Sequence, residues 1–354
     1  MKYPQLSTFS ALLPQLAEFD TIIDVRSPSE FAEDHIPGAI NYPVLEDLER
    51  IQVGTMYKQI NAFEAKKVGA ALVAKNIAKH IEQNFLNKPR EWKPLVYCWR
   101  GGNRSGSMAH ILAKIGWPVV QIEGGYKDYR HHVNDSLPTM APLVQWRVIC
   151  GTTGSGKTRL LQTLAQQGAQ ILDLEELALH RGSVLGHLPS QAQPSQKMFE
   201  SSIWKALREF DFSRPVFVES ESKKVGNLRV PDDIINTMRS SPCIALELPL
   251  KQRVVLLMEE YNHFVNDPDA LNNRLDCLVT LYGKEKIQEW KDLANQENMT
   301  ALVTELLEKH YDPAYLKSIN KNFPHSANAF KLEQDAISYL DFEKSAKEIL
   351  HLGQ

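Results

Sequence analysis

The segment of this chain with the least structural freedom is "WRVICGTTGSGKTRLLQTLAQQGAQ". Gly151, then the four residues Thr152, Thr153, Gly154 and Ser155, then Gly156, Lys157 and Thr158 fit the Walker A pattern. A loop of this kind works between a strand and a helix, and both are predicted: the apolar run "RVIC" precedes it and a helical pattern follows as far as Gly168. Backbone N–H groups of the loop and helix N-terminus bind phosphate oxygens, Lys157 neutralises the outer phosphates, and Thr158 can ligate a magnesium ion. The loop does not identify what carries the phosphates, because a diphosphate offers it much the same oxygens on ATP or on an activated hydrocarbon.

Downstream, "AQILDLEELALHRGSVLG" carries Asp173, Arg181, Gly182 and Ser183, and the apolar run "RPVFVESES" ends in Glu219 and Glu221. An acidic residue after an apolar strand is where phosphate-loop proteins hold the water shell of magnesium, although here it is Glu rather than the usual Asp. A solvated strand end is the competing reading. From about residue 232 the apolar residues recur at helical spacing, so Leu256, Leu257 and Tyr261 read as core. Lys223, Lys224, Arg229, Arg253, Lys284, Lys286, Lys317 and Lys321 can track an RNA backbone, and each also reads as an ordinary solvated side chain.

The first half has a different pattern. "TIIDVRS", "KPLVYC" and "PVVQIEGG" read as strands, and "SGSMAHILAKIG" as a helix stopped by Gly116. Strands alternating with helices imply a parallel sheet covered on both faces. Cys98 opens the loop "YCWRGGNRSGS" at the carboxyl end of its strand, where such sheets place ligands. The helix N-terminus that follows, with Arg100 and Arg104, favours a thiolate, which is the nucleophilic form. Gly101 and Gly102 let backbone N–H groups converge on an anion. Cys150, Cys243 and Cys277 lie in or beside apolar runs and read as buried, inert thiols. With four scattered cysteines and no Cys-x-x-Cys pair, neither a zinc site nor a disulfide scaffold is expected.

At 354 residues the chain is expected to form more than one domain. Its 43% hydrophobic and 23% charged residues are those of a soluble globular enzyme, and no apolar run reaches the length of a membrane span. The early apolar stretch is broken by Pro14, Gln15 and Glu18, so no signal peptide is expected and the location reads as cytoplasmic. A net charge of −3 leaves any nucleic-acid partner to local basic patches.

The segments "DVRSPSEFAEDHIPGAINYP", "YCWRGGNRSGS" and "VVQIEGGYKDY" together resemble a rhodanese domain. The resemblance implies that Cys98 carries a chalcogen as a persulfide or selenopersulfide, cradled by Trp99, Arg100, Gly101, Gly102, Asn103, Arg104 and Ser105, with Asp24 and Arg26 in support. A typical rhodanese loop is one residue shorter. Five residues separate Cys98 from Arg104, as in Cys-dependent phosphatases, so a phosphatase stays open at this point.

With "GTTGSGKT", "DLEELALHRGSVLG" and "VFVESESKKVGNL" following that rhodanese-like segment, the sequence resembles the bacterial tRNA 2-selenouridine synthases over essentially the whole chain. That resemblance implies an α/β fold: a rhodanese-like doubly wound domain at 1–138, a P-loop NTPase-like domain at 139–245, and a mostly helical portion at 246–354. It implies a tRNA carrying 2-thiouridine at the wobble position as substrate, geranyl diphosphate and selenophosphate as co-substrates, and a selenophosphate-producing enzyme as donor source. The reaction it implies is geranylation of the sulfur followed by replacement of the geranylthio group by selenium. A nucleotide-dependent kinase, a Cys-dependent phosphatase and a non-enzymatic RNA-binding module are the alternatives.

Overall fold

The structure is a computed structural model and describes residues 3–183, 186, 191–265 and 267–351. Val184 and Leu185 of the "HRGSVLG" segment lie outside the described residues. The chain divides into two compact units, Met1–Ser136 with Ser195–Lys205, and Leu137–Pro194 with Ala206–Gln354.

The first unit is built on five parallel strands, β1 (Gln5–Thr8), β2 (Thr21–Asp24), β3 (Ala39–Asn41), β4 (Pro94–Tyr97) and β5 (Val120–Glu123), in the order β1-β5-β4-β2-β3. β4 is central, and all four of its residues are buried, as a strand covered on both faces requires. Its core joins Ile23, Val25, Val96 and Cys98 to Met108 and Leu112 of helix Asn103–Ile115 and to Ile77, Phe85 and Trp92. That helix ends at Gly116, whose φ of 126° lies where a side chain is disfavoured.

The second unit repeats the layout with β6 (Gln145–Cys150), β7 (Gln170–Leu172), β8 (Pro215–Glu219), β11 (Cys243–Glu247) and β12 (Phe330–Glu333), all parallel, in the order β12-β11-β6-β8-β7. Between β8 and β11, the two-residue strands β9 (Lys224–Val225) and β10 (Leu228–Arg229) form a small antiparallel ladder. The boundary expected after residue 245 falls inside β11. Residues after 246 return a strand, β12, and the helix Tyr339–His351 to the sheet, where Leu332, Phe342 and Ile349 join Ile149, Leu160 and Leu246 in one core. The remaining late helices bury a separate cluster that includes Leu271, Leu275, Trp290 and Leu302. Full burial of each such side chain contributes about 1.5–3 kcal/mol, which makes this cluster a core of its own.

Candidate functional site

Cys98 sits one residue past β4 and is 3% exposed. Ser105, in the first turn of the following helix, donates from Oγ to Cys98 Sγ at 3.3 Å, and Gln121 Nε2 in turn donates to Ser105 Oγ at 3.1 Å. Gly102 caps the helix at φ 73°, and a Cβ there would stand 2.9 Å from Gln121 Nε2. The loop is also held from the start of helix Gly125–Met140, which follows β5. The backbone N–H groups of Tyr126 and Lys127 donate to the Cys98 and Trp99 carbonyls at 2.7 and 3.0 Å. This approach requires Gly125, where a Cβ would come within 2.3 Å of the Cys98 carbonyl oxygen. Trp99 stacks on Tyr126 at 5.3 Å between ring centres, and Gly101 has open space around it.

The loop's charged residues part company. Arg100 is exposed on the loop, whereas Arg104 is bound in a bidentate pair to Glu30 at 2.6 and 3.1 Å. Glu30 also accepts from Ser27 N in the capping box of helix Pro28–Glu33, so Arg104 anchors the loop to that helix start. Its side chain is turned toward a carboxylate and not left free for an anion. Asp24 and Arg26 form a fully buried pair with contacts of 2.6–3.1 Å, and Arg26 stacks 4.0 Å from the Tyr126 ring. They brace the wall behind the loop. Asn103 is exposed at the start of the helix.

The second cradle lies between β6 and helix Lys157–Gln166. Gly154 and Gly156 adopt φ of 75° and 86°, and a Cβ would strike Leu257 at 2.8 Å and Phe342 at 2.5 Å respectively. Gly151 is equally confined, since a Cβ would meet Ser155 Oγ at 2.4 Å. Lys157 Nζ donates to the Gly151 carbonyl at 2.9 Å, and Gly151 N donates to Tyr315 Oη at 2.6 Å. Arg253 braces the loop by donating to the Thr153 carbonyl at 2.9 Å while gripping Asp312 bidentately. At 5% exposure Arg253 is a brace for this loop and not an RNA contact. Among the other basic candidates, Lys223 and Arg229 pair with Asp232, and Lys286 pairs with Glu289 and Glu305. Lys224, Lys284, Lys317 and Lys321 are exposed.

Around the loop opens a cavity of about 690 Å³ lined by Gly154, Gly156, Lys157, Thr158, Arg181, Gly182, Ser183, Glu219, Glu221 and Tyr315, among others. Thr152 stands half-buried at the start of the loop. The carboxylates of Glu175, Glu219 and Glu221 converge, with ligand oxygens within 4.8 Å of one another. Gly182, at φ 62°, leaves room for them: a Cβ would be 2.6 Å from Glu175 and 3.3 Å from Glu221. Burial pushes Glu219 up to about 7, with Glu221 and Asp173 adding to the rise and Lys157 opposing it. Burial and the other two carboxylates likewise hold Glu175 well above the usual carboxylate range. For Lys157, burial works to lower its pKa, but Glu219, Tyr315, Glu175 and Glu221 outweigh it and keep the ammonium charged. Glu219 Oε1 is buried without a hydrogen-bond partner. An excess of buried carboxylate with an unpartnered oxygen, beside the Thr158 hydroxyl, suits a hard divalent cation.

Sequence reasoning missed Glu175 and Tyr315 in this cavity, and it read Arg253, which braces the loop, as a candidate RNA contact. Asp173, which it selected, instead caps helix Leu174–Ala178 by accepting from Glu176 N at 2.9 Å and so presents Glu175. Arg181 donates to the Glu260 carbonyl at 2.5 Å and stacks on Tyr261. Leu256 is core as expected, but Leu257 and Tyr261 line this cavity. Cys150 and Cys243 are buried, and Cys277 is exposed because it lies on the outer side of the turn 276–278.

A buried thiol loop on one parallel sheet and a phosphate loop with three carboxylates on another define a class: a rhodanese-like domain fused to a P-loop domain. Residues 8–132 match the family model of the rhodanese-like domain, and residues 144–273 match that of the tRNA 2-selenouridine synthase AAA domain. The tRNA 2-selenouridine synthase of Nitrosomonas europaea is 37% identical over 68% of this chain and 63% of its own length, so here the chain spans somewhat under two thirds of the relative. The same-named proteins of Shewanella denitrificans (34% identical; 83% of this chain, 87% of theirs) and Aeromonas salmonicida (30%; 83% and 86%) match more fully. The chain belongs to the tRNA 2-selenouridine synthase family, and so to the enzymes of tRNA modification. Among the described residues, no helix is long and apolar enough to cross a membrane.

Proposed function

We propose that the chain converts wobble 2-thiouridine of tRNA to 2-selenouridine in two steps, one at each cradle. The reading rests on one observation: a single chain carries both a glycine-walled thiol loop and a phosphate loop backed by buried carboxylates. Neither a phosphatase nor a kinase uses both.

In the first step geranyl diphosphate binds with its diphosphate on the loop 151–158. The 2-thio sulfur attacks the allylic C1, the carbon–sulfur bond forms as the C1–oxygen bond breaks, diphosphate departs, and the base loses its N3 proton. Lys157 and the loop N–H groups stabilise the charge that gathers on the departing oxygens. Glu175, Glu219 and Glu221 with Thr158 would hold magnesium, which when bound supplies further charge neutralisation for the diphosphate. In the second step selenium from selenophosphate bonds to C2 of the base, the C2–sulfur bond breaks, geranylthiol leaves, and water takes the phosphorus as phosphate. Alkylation matters because a thioether sulfur departs as a thiol whereas a thiocarbonyl sulfur does not. Cys98 is the residue at which selenium is handled, with Ser105 orienting its sulfur and the loop N–H groups and Arg100 receiving the phosphate end.

The tRNA backbone would be met by exposed lysines. Lys317 and Lys321 lie on helix Asp312–Asn322, whose Tyr315, Ser318 and Ile319 line the phosphate cavity. The test is mass spectrometry of the wobble nucleoside after incubation of thiolated tRNA with protein, geranyl diphosphate and selenophosphate, each omitted in turn. The reading requires S-geranyl-2-thiouridine to accumulate without selenophosphate and no 2-selenouridine to form without geranyl diphosphate. Selenation in the absence of the prenyl donor would overturn it.

A further inference from the structure

A second pocket adjoins the phosphate cavity and differs from it in character. It has a volume of about 70 Å³, and it shares Thr153, Ser183, Leu257, Tyr261 and Tyr311 with the larger cavity. Beyond that common mouth its walls are apolar side chains, among them Met258, Phe264, Leu302, Val303 and Leu306. They come from helices Leu250–Glu260, Asn262–Val265 and Met299–Leu306, which also build the separate late-helix core. A nucleobase would need hydrogen-bonding groups along its edges, and beyond the shared mouth the described lining residues of this pocket offer only the Met258 and Met299 thioethers, which are weak acceptors.

We propose that this pocket is the subsite for the hydrocarbon tail of the prenyl donor and that its small volume sets chain length. The inference rests on the reading of the loop 151–158 as a prenyl-diphosphate site. A diphosphate held there leaves its C1 in the shared, partly polar mouth, where an incoming sulfur can reach it. The tail then runs past Leu257 into the apolar slot. At one water-sized group per 10–15 Å³ or so of such space, the slot holds roughly five carbon-sized atoms. That is one isoprene unit beyond the reacting one, so a ten-carbon chain is filled out, a five-carbon chain leaves the slot empty, and a fifteen-carbon chain overruns it. Burial of five apolar carbons is a large enough gain to separate C10 from C5 by more than tenfold in affinity.

Binding of inorganic pyrophosphate and of dimethylallyl, geranyl and farnesyl diphosphates, measured by calorimetry on the full chain with magnesium, tests this. The wild-type protein should bind geranyl diphosphate at least about tenfold more tightly than dimethylallyl diphosphate, with farnesyl diphosphate weaker than geranyl. Val303→Trp, which fills the slot, should erase the C10 over C5 advantage while leaving pyrophosphate binding unchanged. Met258→Ala, which lengthens it, should shift the preference from geranyl toward farnesyl severalfold. Equal binding of C5 and C10 chains by the wild type, or a Met258→Ala protein with an unchanged C15 to C10 ratio, would overturn the proposal. If Val303→Trp also loses pyrophosphate, the Met258→Ala ratio alone decides. Failure of the wild type to bind pyrophosphate would instead strike at the phosphate-loop reading, which keeps the two failures distinct.

Discussion

Both cradles stand where a central parallel strand ends and a helix begins, yet they are braced by different means. The Cys98 loop is held by backbone and one ion pair: two N–H groups at the start of helix Gly125–Met140 grip its carbonyls, and the Glu30 carboxylate takes up Arg104. The loop 151–158 is held by side chains from far along the chain, with Tyr315 on Gly151 and Arg253 on Thr153. One site is therefore sensitive to bulk at Gly102 and Gly125. The other depends as much on residues that arrive with the late helices.

The sharpest way to break the comparison is to add one methyl group to each cradle. Gly125→Ala forces a carbon against the Cys98 carbonyl at a φ of 61°, and should cut selenation of a pre-geranylated tRNA about a hundredfold while sparing geranylation. Gly156→Ala, pressed against Phe342, should do the reverse by a similar factor. Quantitation of both nucleosides by mass spectrometry separates the two outcomes.

Next in size is Arg253→Ala. Removing a 5% exposed guanidinium strands Asp312 and frees the Thr153 carbonyl, which should destabilise the protein by about 3 kcal/mol in urea unfolding and raise the KM for the prenyl donor. A stability unchanged by this substitution would mean that the loop is not braced from the late helices.

A third effect is expected in the dependence on pH. Glu219 has a folded-state pKa raised to about 7, above its ordinary 4.5, so its protonated form favours the folded state. That contribution is whole below about pH 4.5 and fades as pH rises through 7. The melting temperature of the metal-free protein should therefore fall between pH 5 and 8, and magnesium should restore it most at pH 8. Glu219→Gln should flatten the slope and shrink the magnesium effect. The smallest change is expected from Glu30→Gln, which releases a partly buried ion pair worth about 1 kcal/mol and should alter the KM for selenophosphate only severalfold, because Arg104 then becomes free to meet it.

The parts of this molecule that were legible in the sequence are those encoded locally. The strand, loop and helix around Cys98 and around Lys157 follow from short apolar runs and glycine spacing, and both sheets are parallel as alternation requires. What escaped was whatever depends on distant segments meeting. Glu175 looked like one more acid on a short helix, and only the fold brings it beside Glu219 and Glu221. Leu257 and Tyr261 have helical spacing whether they face a core or a cavity, so periodicity alone reads them as core. By its place in the loop Arg104 reads as an anion ligand, but its partner Glu30 lies 74 residues earlier. The return of β12 to the sheet left little trace in a stretch whose pattern is otherwise helical.

The central claim is that each cradle serves its own step. The most direct measurement is single-turnover selenation of pre-geranylated tRNA by the Lys157→Ala protein, supplied with selenophosphate and followed by mass spectrometry. A rate close to that of the unaltered protein, with geranylation of thiolated tRNA abolished, is the predicted result. Loss of selenation to the same degree as geranylation would contradict the division of labour between Cys98 and the phosphate loop.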